Sequence, residues 1–266
     1  MLNMKSWADK LFRDTYSYRH VVYSIVRSTL KQRYRRSILG FMWTVLAPLL
    51  HYLVIGVVFS AANKIQMQNY FVFMFTGAVY FNVISGVTVN STMAFIGNEH
   101  FIKKIYLPKL IYPLNVVSIE LVNFLLSFVA LVLLGILFGR LQFSPALFFL
   151  PLPILISFGF FLGVSTLVGI MSVYFRDLMH IIPTVMQAAF FLTPILYPIE
   201  LLPTQLQFIV KLNPFYYFVN CFRDPIMYQR LPSAFDMAVL TGASVVSLIL
   251  GMYFLYKYDN KIVFKL

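Results

Sequence analysis

Three arginines stand close together ahead of the first long apolar stretch, in the run Lys31-Gln-Arg-Tyr-Arg-Arg-Ser37. Arginine forks match phosphate oxygens in geometry, so Arg33, Arg35 and Arg36 offer a hold on a phosphate or pyrophosphate. Leu39 and Gly40 follow, and glycine lets a backbone turn sharply or approach a ligand closely. The same basic run also suits anchoring to anionic lipid, and both readings stand on these residues alone. Elsewhere ionisable chemistry is sparse. Glu120 is the only acid well inside an apolar run. A carboxylate there is costly and marks either a transport role or a structural hydrogen bond. His20, His51, His100 and His180 are scattered, with no His-Glu-x-x-His and no dense acid cluster, so a metal site has little support. His51 follows Pro48, and packing is its simplest role. No glycine precedes a lysine anywhere, so a Walker-type phosphate loop is missing. If ATP drives this protein, another chain hydrolyses it. Cys221 is the single cysteine and can form no internal disulfide.

The elements that must position these residues are membrane helices. The chain has 266 residues, 60% hydrophobic and 11% charged, against ~25% charged in a soluble domain. A core of this length could not bury so much apolar surface, so lipid must be much of the solvent. Stretches of ~20 apolar residues mark the spans. They fall at about 38–62, 70–96, 110–138, 146–174, 179–199 and 235–256. The fold class expected is therefore an all-α membrane protein with six transmembrane helices. Residues 1–37 form a cytoplasmic basic amphipathic segment, and 38–266 a single transmembrane domain. Between the fifth and last spans, Pro203, Pro214, Pro225 and Pro232 interrupt a region of intermediate hydrophobicity, about 200–232. Proline breaks helices, so two short re-entrant helices are expected there, with seven or eight spans as the alternative count. No cleavable signal pattern precedes the first span, whose apolar run is too long for one.

Basic residues set the orientation. Those from Lys5 to Arg36, with Lys103, Lys104, Lys109, Arg176, Lys257, Lys261 and Lys265, fall on one side of a six-span arrangement. Only Lys64, Arg140, Lys211, Arg223 and Arg230 fall on the other. Both termini are thus expected in the cytoplasm, and this bias accounts for most of the +12 net charge without a nucleic-acid partner. Tyr18, Val21, Val22, Ile25, Val26 and Thr29 recur at helical spacing, predicting an amphipathic helix in the headgroup plane. Asn82, Ser85, Thr88, Asn90, Ser91 and Thr92 dot the second span, and Gly159-Phe-Phe-Leu-Gly163 is a small-xxx-small motif for close helix approach. Aromatics make up 18% of the chain. Many belong to membrane interfaces, but Trp43, Tyr52, Phe190, Phe191 and Tyr197 lie at different depths of the first and fifth spans. Aromatic faces can stack on the C–H faces of sugar rings, whereas an ion channel would need polar or charged rings.

The run Arg33-Tyr-Arg-Arg-Ser-Ile-Leu-Gly-Phe-Met-Trp-Thr-Val-Leu-Ala-Pro-Leu-Leu50 resembles the first segment of ABC polysaccharide-exporter permeases. The resemblance is greatest to the O-antigen, Wzm-type, permeases, with teichoic-acid and capsule permeases as relatives. Ile102-Lys-Lys-Ile-Tyr-Leu-Pro108, Tyr174-Phe-Arg-Asp-Leu178, Thr193-Pro-Ile-Leu-Tyr-Pro198, Leu212-Asn-Pro-Phe215 and Lys261-Ile-Val-Phe264 follow in family order. Together they cover nearly the whole chain. The resemblance implies a multi-pass inner-membrane homodimer joined to two ATP-binding subunits, which carry the ATP and Mg; this chain itself would bind no cofactor and catalyse nothing. The cargo implied is a polysaccharide on undecaprenyl pyrophosphate, received near Arg33, Arg35, Arg36, Leu39 and Gly40. Trp43, Tyr52, Phe190, Phe191 and Tyr197 would line the channel. Glu99, His100, Ile102, Lys103, Lys104, Arg176 and Asp177 would couple to the ATPase. A competing class is an integral-membrane glycosyl- or phosphotransferase acting on a lipid-linked sugar. It would need acids near the cytoplasmic face, and Asp9, Asp14, Glu99, Asp177 and Asp259 form no compact cluster in sequence.

Overall fold

A computed structural model of the chain describes residues 4–33, 70–137 and 144–266, with scattered positions between 42 and 54. Among the described residues every regular element is helical. The basic segment forms two helices, α1 (Met4–Ser17) and α2 (Arg19–Arg33). The expected stripe is real on α2: Val22 is buried and Val21, Ile25 and Val26 are half-buried, while Arg19, Arg27 and Lys31 are exposed. Through that stripe α2 lies against α5 (Ile111–Leu137).

The bundle is built around α3 (Tyr70–Ser91). Its apolar residues do not favour one side, and Met74, Phe75, Ala78 and Ile84 are fully covered. A helix apolar all round belongs inside protein or membrane. Helices α5, α6 (Pro151–Tyr174), α7 (Leu178–Leu192) and α9 (Pro214–Arg223) all pack on it. Proline at the first position starts both α6 and α9, where its missing N–H costs nothing. At α9 the Asn213 side chain also accepts the Phe215 N–H at 3.0 Å as an N-cap. The last helix, α10 (Ala234–Lys265), begins with Ser233 accepting the Asp236 N–H at 3.0 Å. It runs well past residue 256, where the apolar stretch ends.

Four described helices, α3, α5, α6 with its preceding turn, and α10, are long and apolar enough to cross a membrane. The first expected span lies almost wholly outside the described residues. The fifth is shorter than its apolar run: α7 has 15 residues and stops at Leu192. Its length of roughly 22 Å falls below the ~30 Å hydrocarbon thickness. Pro194 explains the stop, since the residue before proline is driven to extended geometry, and Thr193 adopts φ −100°, ψ 131°. Beyond it the chain forms a short turn at Ile199–Leu201, α8 (Thr204–Leu212), α9, and a wide turn over Asp224–Tyr228 closed by Gln229 at φ 54°. Helix α9 is not a surface loop. Phe218, Val219, Cys221 and Phe222 are fully buried, and Phe222 stacks on Tyr80 at 4.8 Å. The proline-rich region thus forms the short helices expected there rather than a further long span.

Glu120 is held by α3. Asn90 donates to Oε1 at 2.8 Å and Asn123 to Oε2 at 3.2 Å, while Gly86, having no side chain, leaves room for the carboxylate. This is a structural clamp between α3 and α5. Glu120→Gln keeps an acceptor and is expected to leave the melting temperature in detergent near wild type. Glu120→Leu removes both bonds and is expected to cost about 1–3 kcal/mol in the same melt. A melt for Glu120→Gln as low as that of Glu120→Leu would instead make the carboxylate's charge part of the clamp.

Candidate functional site

At one end of the bundle the chain leaves α3 through a short turn, Ile96–Asn98, into α4 (Glu99–Lys104). Lys103 pairs with Glu99 at 2.6 Å one turn apart. That hydrogen bond and charge hold the Glu99 carboxyl below the usual range, and the Arg176 guanidinium adds to the effect. Arg176 and Asp177, in the turn between α6 and α7, are exposed and share this end with α4. The residues assigned to coupling from sequence thus come together from two separate connections. One of them faces the other way: Ile102 is buried in a cluster with Phe95, Leu110 and Ile170 and pins α4 to the bundle. His100, Lys103 and Lys104 stay exposed, beside Phe101, Tyr106 and Phe175. Exposed aromatic rings, a residue type enriched at protein interfaces, thus cluster at this end.

Helix α1 belongs to the same end and was not read from the sequence. Trp7 packs edge-on against Tyr256 at 5.2 Å, and Leu11 and Thr15 are buried. Lys109 pairs with Asp259 at 2.7 Å, tying the loop before α5 to the end of α10. Trp7, Leu11 and Thr15 stand four residues apart, a helical signal that three positions made easy to miss.

The proposed aromatic path is only partly described. Arg35, Arg36, Leu39, Gly40 and Tyr52 lie outside the described residues, as does the Arg33 side chain; Trp43 is exposed. On α7, Met186 is buried and Phe190 packs edge-on against Phe81 at 5.5 Å. The opposite face leaves Ile181, Val185 and Phe191 exposed. Tyr197 donates to the Phe191 carbonyl at 2.6 Å, so these two residues meet across the Pro194 break. Phe190 is turned partly into the core, and Phe191 presents its ring outward.

The far end carries a site that sequence reasoning missed. Arg223 is buried beneath the broken segment. Its Nη2 donates to the Pro194 carbonyl at 3.0 Å, and its guanidinium lies 3.8 Å from the centre of the Phe73 ring. Gly77 on α3 makes this possible, because any side chain there would strike the guanidinium. Next door, Arg230 grips Asp224 through both carboxylate oxygens, at 3.0 and 3.3 Å. Tyr70 donates to the Leu196 carbonyl at 2.6 Å, a second tie between α3 and the broken segment. The signal available was an arginine set among Val219, Cys221, Phe222 and Ile226. Counted as a loop charge, it gave no hint of its burial.

Four of the acids are engaged by partners: Glu99 by Lys103, Asp224 by Arg230, Asp259 by Lys109 and Glu120 by two amides. Among the described residues no three of His, Cys, Asp and Glu could hold one metal ion. The geometry is that of a helical bundle with exposed aromatic and charged residues together at one end and a chain broken into short helices at the other. A family model described as ABC-2 type transporter matches residues 20–227. The chain is 32% identical to the O-antigen export system permease protein RfbA of Myxococcus xanthus, over 90% of this chain and 92% of that one. Against the O-antigen export system permease protein RfbA of Klebsiella pneumoniae the identity is 28%, over 86% and 88% of the two chains. Against the polysialic acid transport protein KpsM of Escherichia coli it is 21%, over 84% and 87%.

Proposed function

The chain belongs to the ABC-2 type transporter family, and from that premise we propose that it is the membrane subunit of an ATP-driven exporter of O-antigen polysaccharide. The observation that carries this reading is the similarity to O-antigen export permeases along nearly the whole chain. The subunit works as a homodimer with two ATP-binding subunits in the bacterial inner membrane, both termini in the cytoplasm. Its cargo is a polysaccharide joined to undecaprenyl pyrophosphate.

The division of labour follows the two ends of the bundle. Helix α4 and the Phe175–Asp177 turn receive the motion of the ATP-binding subunits. Ile102 fixes α4 to the packed helices, so a push there moves them together, as a rigid-body switch requires. Arg33, Arg35 and Arg36 take the pyrophosphate, with Leu39 and Gly40 forming the turn into the first span. Trp43, Tyr52, Phe190, Phe191 and Tyr197 give the glycan an aromatic path. The broken segment beyond Pro194 is the outer gate, since non-helical backbone at membrane depth survives only against protein or a water-filled cavity.

Depletion of the chain in its host tests the function. Full-length lipid-linked polymer should build up on the cytoplasmic side and vanish from the surface. A shorter lipid-linked precursor in its place would make the protein an enzyme of synthesis. The loading arginines have their own test. Arg35→Gln with Arg36→Gln is expected to lower surface polysaccharide about tenfold, a loss of roughly 1.4 kcal/mol of headgroup binding, at unchanged protein level and topology. Export at the wild-type rate would leave these residues as lipid anchors only.

A further inference from the structure

We propose that the cavity under the broken segment is a saccharide subsite that holds one neutral sugar ring of the exported glycan. The inference rests on the exporter reading and adds a place where the glycan is bound. The cavity is about 230 Å³ and lies between Phe73, the Pro194–Glu200 loop and α9 with its following turn. That is below the ~300–1,000 Å³ of sites for drug-sized ligands, and suits a single ring.

Arg223 lines this cavity and is unfinished. It is 3% exposed, its Nε–H has no acceptor, and among the described residues no carboxylate forms an ion pair with it. The adjacent Asp224 is taken by Arg230. A guanidinium with no carboxylate on it keeps hydrogen-bonding capacity for a polar group in the cavity it lines. The same cavity offers the Glu200 carboxylate, the Asn220 amide and the rings of Tyr216 and Tyr228. It therefore presents donors, acceptors and aromatic surface together.

A sugar ring has the complementary set: hydroxyls that donate and accept along its edge, and C–H groups on its faces. Guanidinium, carboxylate and amide are planar groups suited to such hydroxyls, and aromatic faces cover the C–H surface. A bare anion fits less well. It would pair with Arg223 but meet Glu200 in the same small space, where Arg230 is already neutralised by Asp224. A neutral polyol satisfies both. The site is also built in three parts, from α3, from the loop after α7 and from α9. A ring bound there bridges the elements that meet at the far end.

The test uses the complete complex with its ATP-binding subunits in lipid nanodiscs. The probe is a short oligosaccharide released by mild acid from the host's own surface polysaccharide, with inorganic phosphate as the competing anion. Saturation-transfer NMR reads binding. Wild type is expected to bind the oligosaccharide, with affinity about tenfold lower in Glu200→Gln and in Asn220→Ala and no competition from phosphate. Glu200 is exposed and Asn220 half-buried, and a thermal melt of each variant beside wild type separates lost binding from lost folding. No binding by wild type, equal binding by the variants, or displacement by phosphate each overturns the subsite. The same strains report surface polysaccharide separately: loss of the subsite with export still abolished on depletion leaves the exporter reading standing, whereas normal export on depletion removes both.

Discussion

Valine at Gly163 is expected to prevent the protein from accumulating in folded form. Gly163 on α6 faces the backbone of Ser247 and Leu248 on α10, and Gly251 on α10 faces the Gly163 carbonyl in return. A side chain at Gly163 would occupy the position of main-chain atoms, which cannot swing aside as a side-chain tip can. The α6–α10 pair is the most extensive helix contact among the described elements, so separating it disturbs the whole bundle. Overpacking a core costs about 1–3 kcal/mol, and a clash with backbone belongs at or above the top of that range. Gly159, one turn earlier in the same motif, has only ordinary contacts at 3.8 Å and beyond. Gly159→Ala is therefore expected to be tolerated. Gly242, with nothing within 4 Å of its missing side chain, should accept alanine too. Size-exclusion profiles and thermal melts of the three variants in detergent check the ranking. A normal profile for Gly163→Val would mean that the two helices are not in contact as described.

Phe101→Asp combined with Phe175→Asp is expected to abolish export without harming the fold. The two rings are 54% and 67% exposed, so little packing is lost. They stand beside Lys103, Lys104 and Arg176, at the end proposed to receive the ATP-binding subunits. Buried aromatic anchors commonly supply much of the energy of an interface, and truncating one can cost ~2 kcal/mol or more. Two such losses should weaken the complex at least ~100-fold, about 2.7 kcal/mol. Co-purification with the ATP-binding subunit, compared with membrane level and melting temperature, reads this directly. An intact complex with normal export would place the partner elsewhere.

Much of the fold was legible because hydropathy and proline act locally. The bounds of α5 and α6 follow their apolar runs, whereas the apolar run to 199 hid the stop that Pro194 imposes on α7. Prolines also announced the short helices before α10. What could not be read depends on partners distant in sequence. The Gly-x-x-x-Gly motif suggested close approach but not that Gly163, rather than Gly159, makes it, because Gly251 and the Ser247 backbone decide that. Glu120 stayed ambiguous until Asn90 and Gly86 were placed beside it on α3. Arg223 looked like an outer-loop charge, and only Gly77 and Phe73 reveal it as a buried cation. Among the residues assigned to coupling, the chain's own packing turned Ile102 inward, and it left the neighbouring Phe101 outside. The loading arginines rest on sequence alone, since Arg35 and Arg36 lie outside the described residues.

The most direct test is reconstitution. The protein and its ATP-binding subunit would be placed together in proteoliposomes with full-length lipid-linked polymer, and the glycan's side of the membrane followed by its access to an added glycosidase. The expected result is ATP-dependent transfer of the glycan to the compartment opposite the ATP-binding subunits, absent when either chain is left out. Transfer that needs no ATP, or a lipid-linked sugar chemically altered but never moved, would contradict the assignment of this chain as an exporter subunit.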